Sequence, residues 1–122
     1  MKIKALEHDF SVCKVRDFSE ISFDSEYCFL GKTDEEYSLV CLTEHVPGNT
    51  LARDDGWRAF RIEGTLDFSL VGILARISAL LAESGIGIFA VSTYNTDYIL
   101  TKNDHFHKAL QVLSDAGYEI LP

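Results

Sequence analysis

Two short polar segments carry the groups that could bind a small charged ligand. The first, residues 64–69 (Gly-Thr-Leu-Asp-Phe-Ser), precedes a predicted amphipathic helix. The first N–H groups of a helix have no partner within it and lie at the positive end of its dipole, so they suit a carboxylate or a phosphate. The second, residues 92–97 (Ser-Thr-Tyr-Asn-Thr-Asp), brings hydroxyl groups and a carboxylate that can pair with an ammonium or guanidinium group. Together they would suit a zwitterion such as an amino acid.

Both segments also have a purely structural interpretation. Asp67 or Ser69 can cap the helix. Asn95 and Asp97 can shape a hairpin turn. The first segment lacks the G-x-x-x-x-G-K pattern of a phosphate-binding loop. It also lacks the arginine that an acyl-phosphate hydrolase would need, so we expect no catalytic residues.

The elements around these segments follow a β-α-β-β-α-β order. Alternating apolar residues predict the strands, and an i, i+3, i+4, i+7 apolar stripe predicts each helix. Asn103 or Asp104 is expected to cap the second helix, and Gly85 and Gly117 are expected to end the two helices. The predicted elements are strand Trp57–Glu63, a helix of about 16 residues whose apolar stripe runs from Leu70 to Leu81, strands Ile86–Tyr94 and Asp97–Lys102, a helix from residue 103 to 116, and strand Tyr118–Leu121. This order is typical of an α+β, ferredoxin-like fold with two helices on one face of an antiparallel sheet.

Chain direction alone places the two polar segments at one end of the sheet. The first strand runs up, its helix runs down, and the next strand runs up again before it turns at residues 95–96. The loop at residues 64–69 and the hairpin at residues 94–97 are therefore expected to be neighbours.

The first half is predicted to be rich in strands, with segments at Lys2–Leu6, Phe10–Val15, Cys28–Lys32 and Tyr37–Thr43. Residues 32–36 predict a hairpin turn, and residues 16–26 predict an irregular connection. Pro47-Gly48-Asn49 breaks the chain, and residues 49–56 are expected to form a short helix capped by Asn49. We place a domain boundary here, which gives domains of residues 1–56 and 57–122.

Composition excludes several functions. Lys and Arg number 11 against 19 Asp and Glu in 122 residues, and this net charge of −8 argues against nucleic-acid binding. No apolar run is long enough to span a membrane and no export segment begins the chain, so a cytoplasmic location is expected.

The three cysteines lie in apolar stretches without a C-x-x-C pair, which predicts reduced core thiols. His105 and His107 are expected to be solvated, and no zinc spacing or cofactor motif appears, so we expect neither metal nor cofactor.

Two continuous stretches resemble an ACT domain: WRAFRIEGTLDFSLVGIL at residues 57–74 and IFAVSTYNTDYIL at residues 88–100. They are similar to the small tandem-ACT bacterial proteins whose subfamily includes the cytosolic arginine sensors of animal cells. The resemblance covers residues 57–122. FLGKT at residues 29–33 and YSLV at residues 37–40 resemble the degenerate, strand-rich first ACT-like repeat of that subfamily.

The resemblance implies a non-catalytic sensor module that binds an amino acid or similar small ligand and reports it to a partner. The implied ligand residues in the loop are Gly64, Leu66, Asp67, Phe68 and Ser69. A Thr-aromatic-x-x-Asp motif adds Thr93, Tyr94 and Asp97. The family's ligand often lies at an interface between ACT units, so a homodimer is expected, with any regulated enzyme on a separate chain. The alternative is a structural dimerisation module without a small ligand.

Overall fold

The computed structural model describes residues 1–64 and 72–122, and these contain seven strands and two α-helices. The predicted helix caps Asp67 and Ser69 lie outside the described residues. Neither of the two helices is long and apolar enough to cross a membrane. The strands are β1 (Lys2–Val15), β2 (Cys28–Lys32), β3 (Tyr37–Leu42), β4 (Thr50–Ile62), β5 (Phe89–Ser92), β6 (Asp97–Lys102) and β7 (Glu119–Leu121), and the helices are α1 (Ile73–Glu83) and α2 (Asn103–Asp115).

The chain divides into two compact units. The C-terminal unit comprises Met1–Glu7 and Arg58–Pro122, and the N-terminal unit comprises His8–Trp57. The first seven residues therefore pack with the second half of the chain. Strands β1 and β4 each contribute residues to both units.

The C-terminal unit has the strand order β7-β1-β4-β6-β5. The predicted succession β4-α1-β5-β6-α2-β7 is confirmed and gives the α+β, ferredoxin-like arrangement. One pairing was not predicted: β1 lies between β7 and β4. Lys2, Ile3 and Lys4 pair in parallel with β7, while the Glu63 amide donates to the Lys2 carbonyl at 2.9 Å on the other side.

Both helices of the C-terminal unit share one hydrophobic core with its sheet. Ile77 and Leu81 from α1 and three residues from α2 are buried there, as the apolar stripes predict. Phe60 and Ile62 of β4 lie two residues apart and so present the same face of the strand to this core. The buried members of the core are Ile3, Phe60, Ile62, Ile77, Leu81, Ile86, Ile99, Phe106, Ala109, Leu113 and Tyr118.

The helix ends agree in part with the sequence prediction. Gly85 (φ 73°) and Gly117 (φ 101°) follow the two helices in the left-handed conformation, as expected. The Tyr118 amide donates to the Leu113 carbonyl at 3.0 Å and so completes the C-terminal cap of α2. The predicted cap at the start of α2 is wrong: the N-cap is Lys102, and no side chain there accepts a capping hydrogen bond.

The N-terminal unit holds β2, β3, the second part of β1 and the first part of β4, in the order β2-β3-β1-β4. Residues 16–26 contain no regular element, as predicted, and two of their side chains, Phe18 and Ile21, pack on the sheet. One buried cluster of this unit consists of Cys13, Val15, Leu39 and Cys41.

The predicted helix over residues 49–56 is wrong. Residues 50–56 form the first part of β4, a continuous strand of 13 residues. The Arg16 amide donates to the Asn49 carbonyl at 3.1 Å, and Asn49 Nδ2 donates to the Asp17 carbonyl at 3.2 Å. Asn49 thus ties this strand to the end of β1 and caps no helix.

Candidate functional site

The β5–β6 hairpin lies beside the end of β4. Thr96 lies in the hairpin turn, and its buried hydroxyl donates a 2.7 Å hydrogen bond to the carbonyl of Ile62. Ile62 is the last residue of β4. The hairpin and the point where the chain leaves β4 therefore occupy the same end of the sheet. The end of β4 thus lies beside the hairpin as chain direction predicts, while the predicted loop beyond Gly64 lies outside the described residues.

The amide and hydroxyl groups of Thr93 form hydrogen bonds within the hairpin turn. Its amide donates to the Thr96 carbonyl at 2.8 Å, and its hydroxyl lies 3.1 Å from the same oxygen. These bonds define the hairpin and leave the Thr93 hydroxyl little capacity to donate to a ligand.

Asp97 and Tyr94 present polar groups at the surface of the same turn. The Ser92 hydroxyl donates to Asp97 Oδ1 at 2.6 Å, which fixes the orientation of the carboxylate. Among the residues that the structure describes, no lysine or arginine lies within ion-pair distance of Asp97. Tyr94 is 78% exposed. The hairpin thus offers one positioned carboxylate beside an exposed aromatic ring.

An arginine next to this end of the sheet is already paired. Arg61 lies 3.3 Å from the Tyr98 hydroxyl on β6 and donates to Glu63 at 3.2 Å. The hydrogen bond to Tyr98, followed by that to Glu63, raises the pKa of Arg61 above its ordinary value. This cation is therefore balanced within the protein.

In the loop half of the predicted site, the structure describes only Gly64. Gly64 is exposed and has φ of 97°, a conformation that disfavours any residue with a Cβ. Leu66, Asp67, Phe68 and Ser69 lie outside the described residues. The described chain resumes at Gly72, which is the N-cap of α1.

A cleft of about 370 Å³ opens where α1 begins. Its volume is within the range of small-molecule sites. The cleft borders the first turn of α1, the turn that follows α2, and the start of β1. Its lining residues are Met1, Gly72, Ile73, Arg76, Ala116, Gly117 and Tyr118.

The two walls of this cleft differ in electrostatic character. One wall is the first turn of α1, at the positive end of the helix dipole, together with the Arg76 guanidinium. The other wall, at Ala116 and Gly117, is the C-terminal end of α2, where carbonyl groups and the negative end of the dipole lie. Such a cleft can take an anionic group on one side and a cationic group on the other.

Arg76 lies in the first turn of α1, where negatively charged side chains are usually favoured. A cation is unfavourable near the positive end of a helix dipole, and the first turn of α1 contains no acidic residue. Within residues 1–64 and 72–122, no carboxylate lies within ion-pair distance of Arg76. Arg76 is therefore available, among the described residues, to an anionic group in the cleft.

The cleft and the hairpin lie at the same end of the C-terminal unit, but the hairpin residues do not line the cleft. In the order β7-β1-β4-β6-β5, the hairpin strand β6 is three positions from β7, or about 14 Å at the usual strand spacing. Thr93, Tyr94 and Asp97 do not line the cleft. No group of three or more His, Cys, Asp or Glu residues in the described part of the chain could hold a metal ion.

The sequence prediction missed the cleft residues. One wall could have been predicted, because chain direction also brings the end of α2 and the start of β7 to the same end of the sheet. The position of Met1 could not be predicted, because it depends on the insertion of β1 between β7 and β4.

Comparison with solved structures supports the fold. A protein from Agrobacterium tumefaciens is 29% identical, with a TM-score of 0.84 over 98% of this chain and 91% of that chain. The regulatory subunit of aspartate kinase from Thermus thermophilus, in its ligand-free form, has a TM-score of 0.65 at 9% identity and covers 96% of this chain and 97% of that chain. Aspartate kinase from Clostridium acetobutylicum has a TM-score of 0.68 at 15% identity and covers 93% of this chain but 34% of its own.

Comparison with curated proteins finds no match. The ACT domain family model matches residues 52–115, which is more than half of the chain. The match includes both polar segments, α1, the β5–β6 hairpin and α2. This chain therefore belongs to the ACT domain family.

Proposed function

We propose that this chain is a non-catalytic regulatory module that binds an amino acid, or a similar small zwitterion, where β4 ends and α1 begins. Membership of the ACT domain family and the fold shared with the regulatory subunit of aspartate kinase support a regulatory, ligand-binding module in general. The ligand class is our inference from the chemistry of this end of the unit.

The opposed walls of the cleft carry the proposal. A ligand carboxylate would lie against the α1 amides and Arg76, and its ammonium group would face the carbonyl end of α2. Glycine at position 117 leaves the backbone of the second wall uncovered by a side chain. Both ends of the ligand would then be recognised by groups that the fold already holds in place.

The predicted ligand residues fit this proposal in two groups. Gly64, Leu66, Asp67, Phe68 and Ser69 lie in the segment that leads from β4 to the Gly72 rim of the cleft. Thr93, Tyr94 and Asp97 lie on the hairpin, too far across the sheet to reach the same small molecule. We propose that the hairpin group acts through a homodimer, at an interface where it faces the ligand site of the second subunit.

Thermal-shift measurements on ligand-stripped protein with each standard amino acid test the proposal. A ligand at a hundredfold excess over its Kd stabilises the folded state by about 2.7 kcal/mol. We expect at least one amino acid to raise Tm in wild type and to lose most of this effect in Arg76→Gln. Lys14→Gln is the matched control, because it removes an exposed cation from the N-terminal unit. The cleft would be refuted as the binding site if no amino acid raised Tm in wild type, or if Arg76→Gln and Lys14→Gln showed equal increases in Tm.

A structural dimerisation module is the second candidate. Strand β5 is the last in the order of the C-terminal unit and pairs only with β6 among the described strands. Its open edge could pair with a second copy of the chain. Light scattering separates the two candidates: this second function requires a stable dimer that no amino acid alters, whereas the first requires a ligand response.

A further inference from the structure

Three cysteines lie on one face of the sheet in the N-terminal unit. Cys41 on β3 is directly opposite Cys28 on β2 and, on the other side, directly opposite Ser11 on β1. Cys13 is two residues beyond Ser11 and so lies on the same face. All three thiols are free.

The register identifies the kind of pair that Cys28 and Cys41 form. The Thr33 amide donates to the Glu36 carbonyl at 3.0 Å, so Thr33 and Glu36 are a hydrogen-bonded pair of the antiparallel ladder. Hydrogen-bonded and non-hydrogen-bonded pairs alternate along such a ladder. Cys28 lies five residues before Thr33, an odd number of steps, and Cys28–Cys41 is therefore a non-hydrogen-bonded pair.

This class of pair has the dimensions of a disulfide. Its Cα atoms are about 4.5 Å apart with the side chains close together, and disulfides span Cα separations of about 4.4–6.8 Å. Cys13 is opposite Leu39 and so is diagonal to Cys41. Diagonal neighbours are about 7–8 Å apart, which is too far for a disulfide without backbone movement.

We propose that Cys28 and Cys41 are an oxidative modification site, at which a hydroperoxide closes a disulfide between β2 and β3 and leaves Cys13 reduced. Cys28 is half-buried while Cys41 and Cys13 are buried, so the oxidant reaches Cys28 first. The Cys28 sulfur attacks the peroxide and becomes a sulfenic acid, with release of water or an alcohol. The Cys41 sulfur then attacks the Cys28 sulfur, the S–O bond breaks and a second water leaves. The two thiols supply the two electrons that reduce the peroxide.

The burial of Cys28 and Cys41 determines how fast the disulfide forms. Burial raises the pKa of Cys28, and burial followed by the neighbouring thiols raises the pKa of Cys41 to about 12. Thiolate is therefore scarce at neutral pH, and thiolate is the reactive form. Disulfide formation should be slow at neutral pH and should continue to accelerate above pH 9.0, the ordinary cysteine value, because burial raises the pKa of both thiols.

Peptide mapping of the full chain after treatment with hydrogen peroxide tests the assignment. Trypsin cuts after Lys14, Arg16, Lys32 and Arg53, so each cysteine falls in a separate peptide. The expected result is a disulfide between peptides 17–32 and 33–53, with Cys13 alkylated by N-ethylmaleimide. Intact mass should show the loss of two hydrogen atoms in a monomer.

Variants sharpen the test. Cys13→Ser should form the same disulfide, while Cys28→Ser and Cys41→Ser should form none within the chain. A disulfide that includes Cys13, a disulfide between two chains, or three free thiols after prolonged oxidation of wild type would each overturn the proposal. The wild-type map decides the matter even where a variant folds poorly.

Discussion

The hydroxyl of Thr96 and the carbonyl of Ile62 are joined by a buried 2.7 Å hydrogen bond between the β5–β6 turn and the end of β4. Thr96 is 6% exposed, so neither group has water as a ready alternative partner. This bond fixes the hairpin beside the point where the chain departs toward α1.

Thr96→Val should therefore destabilise the protein. Valine keeps the shape of threonine but leaves the Ile62 carbonyl without its partner, and a buried unsatisfied acceptor costs about 1–3 kcal/mol. Urea denaturation measures the change in the free energy of unfolding. Thr93→Val is the control, because its turn bonds lie at the surface and its loss should be smaller. Equal losses in the two variants would mean that the Thr96 bond has no special role.

Gly64→Ala should also destabilise the protein, by about 1 kcal/mol, because alanine is strained at a φ of 97°. No atom of the described residues would clash with the added Cβ, so the expected loss comes from backbone conformation. Gly87→Ala is the matched control: its Cβ is equally unobstructed and its φ is not in the left-handed region. Thermal or urea unfolding of both variants measures the change in stability. A Gly64→Ala protein as stable as wild type would contradict the prediction.

The helices and hairpins were predictable because their signals are local. The apolar stripe that ends at Gly85 and the turn at residues 93–96 each lie within a few residues of the groups that they organise. The same holds for the turn at residues 33–36, which sets the register of β2 and β3.

The strand over residues 50–56 was not predictable from local signals. Its residues are mostly exposed and three of the seven are charged, and Asn49 and Gly56 resemble the two caps of a short helix. It forms a strand because β1, far away in sequence, supplies its hydrogen bonds, and because Asp55 accepts a bond from the buried hydroxyl of Ser11 at 2.5 Å. Long-range pairing here outweighs local propensity.

The insertion of β1 between β7 and β4 could not be read from the sequence for the same reason. The ladder between β1 and β7 has three residue pairs, from Lys2–Glu119 to Lys4–Leu121, and these join segments from opposite ends of the sequence. The cleft depends on this pairing, because it brings Met1 next to Tyr118. The loop and hairpin residues of the predicted site needed only chain direction, whereas the cleft needed this long-range contact.

Asp97→Asn tests the role of the hairpin carboxylate in ligand recognition. Asparagine can still accept the Ser92 hydrogen bond through its amide oxygen, so the stability of the ligand-free protein should change by less than about 0.5 kcal/mol. The Tm increase that an amino acid produces should become smaller, because the negative charge is lost. Glu35→Gln in the N-terminal unit removes an exposed charge without touching this turn and should leave the response intact. An undiminished response in Asp97→Asn would remove the hairpin from the proposed site.

Alkaline pH should destabilise the protein through Cys41. Burial raises the pKa of its thiol from 9.0 to about 12 in the folded state, whereas the unfolded chain has the ordinary value. Below pH 9.0 both states hold the proton and the stabilisation is fully present. Above it the unfolded state releases the proton first, so the free energy of unfolding falls, by up to about 1.4 kcal/mol per pH unit, until the folded-state value of about 12 is reached. Urea denaturation across this range should give a shallower slope for Cys41→Ala than for wild type. Because other groups titrate alike in both proteins, the difference between the slopes isolates this thiol, and identical slopes would show that Cys41 does not resist ionisation in the folded state.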